Sequence, residues 1–348
     1  MNIFAPWDWV AKDWEIQNYS NDSNCAVAAV PVLCNEPHMF CYRPELHDLD
    51  LSRFDLVVLS DIEFESISTI KQWIQKNHIQ HCVLALGGKL ASETLDHETM
   101  MYRPWWCYNL LKYNTYESTT ATHKPYMFDA LLGARRPHRD YVMLCLQHYD
   151  LLKSSIATYR DIFHTGGVVN HQSQEFANIF HDQTLAHPYV SSNLDPNWEV
   201  SDTMDKSISP FVPWHIYRNT WYSLVTETIG TGNCFFLSEK TTKCLFAGRL
   251  FVMFSNANFL QGLRNLGFET FGSVLDESYD QNTLDFERFK MAFEQIVYLS
   301  KQNPVLLYKK LQPILEHNRH KIWELKKQTQ SQQQNLLCQH LPTGYVIN

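Results

Sequence analysis

The chain has 348 residues, 45% hydrophobic and 14% aromatic, enough to bury a sizeable core and long for one compact unit, so two domains are the first expectation. Thirty-seven acidic residues against 29 basic ones give a net charge of −8, which provides no broad cationic surface and disfavours duplex nucleic acid as a partner. Nine cysteines without a CxxC pair point to reduced thiols and a cytoplasmic location, Met1–Trp14 lacks the apolar stretch of a secretory signal, and no apolar run approaches the roughly 20 residues that span a bilayer.

In chain order, residues 25–34 (CAVAAVPVLC) form a continuous apolar run expected to be a strand buried on both faces, stopped by Asn35-Glu36-Pro37. Residues 54–60 predict a second strand ending at Asp61, residues 65–76 a helix with Ile67, Ile70, Trp73 and Ile74 on one face, and Cys82–Leu86 a third strand ending at Gly87-Gly88. Strand, helix, strand in that order specify a right-handed parallel unit. Residues 113–124, rich in Thr, Ser, Asn and Tyr, read as a linker.

Beyond it, Phe128–Leu132 predicts a strand closing at Gly133 and Asp140–Leu152 a helix, whereas residues 161–210 hold no persistent period and read as loops with short elements. Trp221–Thr228 is a β-branched and aromatic strand, followed by a loop with Gly230, Gly232 and Asn233 and by Phe235-Phe236-Leu237. Ser238-Glu239-Lys240 opens a helix that Gly248 caps, Leu250–Phe254 is the next strand, and residues 257–266 form a small helix ending at Gly267. From Leu284 to Gln328 helices are expected, interrupted at Pro304 and Pro313, with a frayed Gln-rich stretch at 328–334. The whole reads as α/β: two facing Rossmann-like domains at residues 1–120 and 121–327 and a tail at 328–348, with ligands expected at the carboxyl ends of strands in an interdomain cleft.

The helix start at Ser238 offers free backbone N–H groups and a positive dipole end to phosphate, and Lys240 adds a full charge there; the bland alternative is plain capping by Ser238 with Glu239 favouring the dipole. The stretch Phe236–Gly248 (FLSEKTTKCLFAG) with Arg249-Leu250-Phe251-Val252 resembles the donor-site signature of GT-B fucosyltransferases. It is also similar to phage- and bacterium-encoded glycosyltransferase-like proteins that share an EKTxKxxxAGRxF segment and a later LGFxTF…DESYD segment, here Leu266–Phe271 and Asp276–Asp280. The resemblance is weak over residues 1–120.

What the resemblance implies is a GT-B fold with C-terminal helices, and a glycosyltransferase that moves a sugar from a nucleotide diphosphate sugar to a hydroxyl acceptor of unknown kind, inverting and metal-independent, with no cofactor. It implies that Arg139, with Arg136 in reserve, contacts the diphosphate, that Lys240 binds a phosphate and that Glu239 binds the ribose. Glu227 is a second polar wall or an ion-paired carboxylate, and Tyr217 stacks on the donor base or belongs to the core. Deprotonation of the acceptor needs a base, for which Glu36 is the first candidate and Asp61 and Glu63 are rivals; each reads equally as a cap or an ion-pair partner.

Other patterns are weaker. His164, His171 and His181 form no HExxH arrangement, Asp276, Glu277 and Asp280 read as a solvated acidic turn rather than a cation site, and Trp105-Trp106 either packs or forms a sugar platform. A non-catalytic nucleotide-binding or assembly protein of the same shape is the alternative to the enzyme, and a transferase acting on DNA bases is disfavoured by the net acidity.

Overall fold

Continuous apolar runs become strands that are covered on both sides. In the computed structural model, which describes residues 2–37, 42–61, 66–90, 95–119, 122–163, 189–190, 211–342 and 345, the run at 25–34 contains β3 (Val27–Pro31), buried at every position. Its neighbour β4 (Leu56–Asp61) is buried at all but its last residue, and β5 (Cys82–Leu86) at all but its first. Full coverage of both faces is why these segments read as runs rather than alternations. Glu63 and His164, His171 and His181 lie outside the described residues, as does most of 161–210.

The chain is α/β with parallel sheets and divides into two units. The first comprises Met1–Trp105, Cys234–Phe236 and Leu325–Asn348. Its sheet also contains β1 (Ile3–Phe4), β2 (Tyr19–Ser20) and β7 (Met100–Tyr102), in the order β2-β1-β3-β4-β5-β7, every pair parallel. Because β2 lies on one side of β1 and β3 on the other, the direction of winding switches between β1 and β3. Helix α1 (Asp8–Asp13) follows β1, and α2 (Ile67–Lys76) is capped by Ser66, whose Oγ accepts from the Thr69 amide at 3.1 Å. The expected α2 face is the buried one: Ile67, Ile70 and Trp73 point into the core.

The second unit comprises Trp106–Asn233 and Leu237–Glu324. Its strands β8 (Tyr126–Arg135), β9 (Ser155–Phe163), β10 (Tyr189–Val190), β11 (Thr220–Thr226) and β13 (Phe251–Phe254) are ordered β10-β9-β8-β11-β13, parallel except for β10. Strand β12 (Cys234–Phe236) belongs to the first unit, where it pairs antiparallel with β6 (Gly88–Leu90). The second unit's helices are α3 (Trp105–Tyr113, from Trp106 on), α4 (Pro137–His148), α5 (Trp214–Asn219), α6 (Glu239–Ala247), α7 (Phe259–Asn265), α8 (Asp285–Leu299) and the part of α9 (Pro304–His340) up to Glu324. From β8 the sheet grows through α4 to β9 on one side and, after the chain returns, through β11 and α6 to β13 on the other. The carboxyl ends of β8 and β11 are therefore the unit's topological switch point, where connections diverge and leave room for a ligand.

Three expectations fail for identifiable reasons. Gly133 does not close β8; it sits inside the strand at φ +59°, where the pairing with β9 shifts register, so it is a bulge residue that only its missing Cβ makes comfortable. Pro313 does not interrupt α9: it and Lys309, whose carbonyl loses its helical partner, are both on the exposed side, so the unpaired carbonyl is not shut away from solvent. The Gln-rich stretch is not frayed: Thr329 and Gln333 are buried, and Gln333 Nε2 donates to the Asp13 carbonyl at 2.8 Å.

Candidate functional site

Three chain segments build a charged cluster at the switch point of the second unit. The first is the turn from β8 into α4, where Arg136 is the N-cap and Pro137 the first helical residue, its fixed φ pre-set for the helix. This aims Arg139 back along the strand end: a Cβ placed on Gly133 would lie 3.5 Å from Arg139 Nη1, and the Arg139 side chain is almost wholly buried. The second is the exit of β11, Glu227 and Thr228. The third is the first turn of α6, where Ser238 Oγ accepts from the Lys240 amide at 3.3 Å, as expected of an N-cap.

Hydrogen bonds tie the second and third segments together. Glu227, fully buried, accepts from the Thr228 amide at 3.0 Å through Oε2 and from the Thr241 hydroxyl through Oε1. Lys240 Nζ donates to Thr228 Oγ1 at 3.2 Å and to Glu239 Oε1 at 2.6 Å, and its side chain retains 25% exposure. The backbone carbonyl of Glu227 accepts from His138 Nε2 at 2.8 Å, which joins the first segment to the second.

Charge is concentrated here under low solvation. Burial, then the neighbouring Arg136, brings Arg139 down to about 10 in spite of Glu239, Glu227 and Asp140, which pull it upward. Burial also lowers Lys243 to about 8, with Lys240 acting the same way and Glu239 opposing. Burial raises the Glu227 carboxyl against the pull of Lys240, whereas at Glu239 the effect of burial is outweighed by Lys240 and Lys243, which hold it below its ordinary value. His138 is kept well below the usual histidine range by burial and by Arg139. Arg139 thus feels Arg136, Glu227, Glu239 and Asp140, and Glu239 feels Lys240 and Lys243, so that like-charge repulsion, Arg136 on Arg139 and Lys240 on Lys243, is part of the local energy.

All six residues assigned to the donor side, Arg136, Arg139, Glu227, Ser238, Glu239 and Lys240, meet in this cluster, and both Arg139 and Lys240 act on Glu239. Glu36 and Asp61 belong to the first unit: Glu36 follows β3 and pairs with Lys76 Nζ at 2.6 Å, and Asp61 ends β4 in register with Leu86. Sequence reasoning missed Lys243, which the spacing of one helical turn from Glu239 and Lys240 would have put on their face. It also missed His138, for which no local pattern exists.

Several other candidates have structural partners. Tyr217 is core, its ring 4.2 Å from the Arg249 guanidinium and its hydroxyl near Cys244. Arg249 is itself buried, bonded to Asp129 at 2.5 Å, to Ser223 and to the Tyr217 and Thr220 carbonyls. The acidic turn is solvated at Asp276 but not at its other two carboxylates: Asp280 accepts from the Leu260 and Gln261 amides at 2.8 and 3.0 Å and so caps α7, while Glu277 holds Thr270 and the Phe271 amide. Trp105 and Trp106 are half-buried, and Trp105 bonds the buried Asp13 carboxyl. Among the described residues no three His, Cys, Asp or Glu side chains gather as metal ligands would, and no helix is long and apolar enough to cross a membrane. No protein-family model, no curated protein and no solved structure matches the chain.

Proposed function

We propose that the cluster binds the diphosphate of a nucleotide sugar and that the chain is a glycosyltransferase passing the sugar to a hydroxyl acceptor. The observation that carries this reading is the gathering of Arg136, Arg139 and Lys240 with Glu227 and Glu239 where β8 and β11 run into the first turns of α4 and α6, with Lys243 beside Glu239 and Lys240 on α6. In such a transfer the anomeric carbon leaves a diphosphate oxygen and gains an acceptor oxygen. Negative charge therefore grows on the departing diphosphate. Guanidinium, ammonium and helix-end amides held in place beforehand stabilise that charge without reorganising.

In this reading Glu36, which follows β3, or Asp61, which ends β4, takes the acceptor proton, as a GT-B-type enzyme requires of a base outside the donor domain. Calorimetric titration of the full chain with UDP, GDP and ADP tests the donor half. Lys240→Ala is expected to weaken the preferred nucleotide by about tenfold or more, as loss of a charge-assisted bond does, with the fold retained. Unchanged affinity would show that the donor site is elsewhere.

The non-catalytic alternative also has an observation in its favour: the Glu36 carboxylate is engaged by Lys76. A donor-hydrolysis assay beside thermal-shift screening of sugar nucleotides separates the two. Stabilisation with no turnover, with or without added acceptors, favours binding alone.

A further inference from the structure

The turn that leaves β11 is held from behind by its carbonyls. Glu227 O accepts from His138 Nε2 at 2.8 Å, Ile229 O from Ser255 Oγ at 3.0 Å, and Gly230 O from Arg288 Nη2 at 3.2 Å. A carbonyl can only accept, so His138 carries its hydrogen on Nε2. Arg288 is fixed in turn: it is buried, pairs with Asp285 and donates through Nε to the Ser255 carbonyl at 2.8 Å.

In a planar trans peptide the carbonyl of one residue and the N–H of the next point in opposite directions, and no cis bond occurs among the described residues. The Thr228 amide therefore faces away from His138, the Gly230 amide away from Ser255 Oγ and the Thr231 amide away from Arg288 Nη2. The Thr228 amide does so visibly, donating to Glu227 Oε2 at 3.0 Å on the side where Lys240 Nζ reaches Thr228 Oγ1. Among the described residues neither the Gly230 nor the Thr231 amide donates to a protein backbone acceptor. Glycine is required at 230, because a Cβ there would lie 2.2 Å from His138 Nδ1; the backbone is pressed onto the imidazole.

We infer that the Gly230 and Thr231 amides form a second, uncharged anchor of the anion site, a backbone cradle for a phosphate group whose charge the neighbouring lysines and arginines offset. The inference deepens the donor reading of the same cluster and rests on it. Backbone amides braced in this way lose no side-chain freedom when they bind, and successive N–H groups in a turn make a concave site for anions. The cradle recognises the phosphate group itself, so it takes inorganic diphosphate as well as a nucleotide.

The test is a titration of the full-length, 15N-labelled chain with inorganic pyrophosphate, followed by backbone amide resonances. The Gly230 and Thr231 amide protons are expected to move downfield and saturate with the binding curve. Thr231→Pro, which removes one donor, is expected to bind pyrophosphate about tenfold more weakly than Thr231→Ala, which keeps the backbone N–H while losing the same hydroxyl. Binding with these resonances unmoved, or a folded Thr231→Pro chain that binds as tightly as Thr231→Ala, overturns the cradle and leaves the donor reading standing. Failure of the wild type to bind pyrophosphate or any nucleoside diphosphate overturns both. Should Thr231→Pro not fold, the resonances of the wild type decide alone.

Discussion

His138 occupies the second helical position of α4, buried, with Arg139, Arg136 and Lys240 around it and its Nε2 hydrogen on the Glu227 carbonyl. Protonating it would put a further positive charge among cations already repelling one another. An unfolded chain has no such penalty and takes the proton near pH 6.5. Since the folded value lies well below the unfolded one, the stabilisation is present above about pH 6.5 and is lost as pH falls, by up to about 1.4 kcal/mol per pH unit for one proton. Glu227 acts in the opposite sense: its raised carboxyl favours the folded state at low pH, and that contribution is lost as pH rises through its folded value. A single stability curve mixes the two, so the comparison is with His138→Gln, which keeps a donor for the carbonyl and cannot titrate. In urea unfolding between pH 7 and pH 5 the wild type is expected to lose stability relative to the glutamine variant, and parallel curves would remove the buried histidine from the account.

At the scale of elements, the second unit separates its tasks along the strands. Carboxyl ends of β8 and β11 hold the cationic cluster, while their amino-terminal parts are locked by Arg249 on Asp129, with Thr220 and Ser223 completing the carboxylate's bonds at 2.8 and 3.1 Å. Asp129→Ala strands a buried guanidinium and is expected to destabilise the unit by about 3–5 kcal/mol, measured by denaturant unfolding; a loss below about 1 kcal/mol would mean that water reaches Arg249 and that the lock is not closed. The same contrast explains what the sequence makes legible. Central strands announce themselves as unbroken apolar runs, and Ser238-Glu239-Lys240 behind a strand declares a helix start, because both are local. Strands β1 and β2 have two residues each, too few for any period to register. The braces on the β11 turn are out of reach for another reason: His138, Ser255 and Arg288 lie 89, 26 and 58 residues from the carbonyls they hold. Only the tertiary fold places donors so remote from one another around one turn.

For the molecule as a whole, the decisive feature is that the first unit is assembled from both ends of the chain. Residues 325–348 belong with Met1–Trp105. Leu336 and Leu337 lie in the same apolar core as Trp7, Val10, Trp14 and the central strands. Polar contacts repeat the link: Gln333 donates to the Asp13 carbonyl, and Asp13 is buried against Arg103 and Ser60, with burial raising its carboxyl against the pull of Arg103. A core completed by residues more than 300 positions apart in sequence cannot close until the far end of the chain is present, so a nascent or truncated N-terminal segment lacks part of its own interior. Leu337→Ala isolates this dependence, because the side chain is fully buried and belongs to that core. Removing it is expected to cost about 2–5 kcal/mol, the range for emptying a buried leucine site. In native-state hydrogen exchange the loss should fall on the amides of β3, β4 and β5, with β11 and β13 keeping their protection under conditions where the units open separately. If β11 and β13 lose protection to the same extent, the two units open as one cooperative body, and the C-terminal helix segment supports the entire chain rather than the first unit alone.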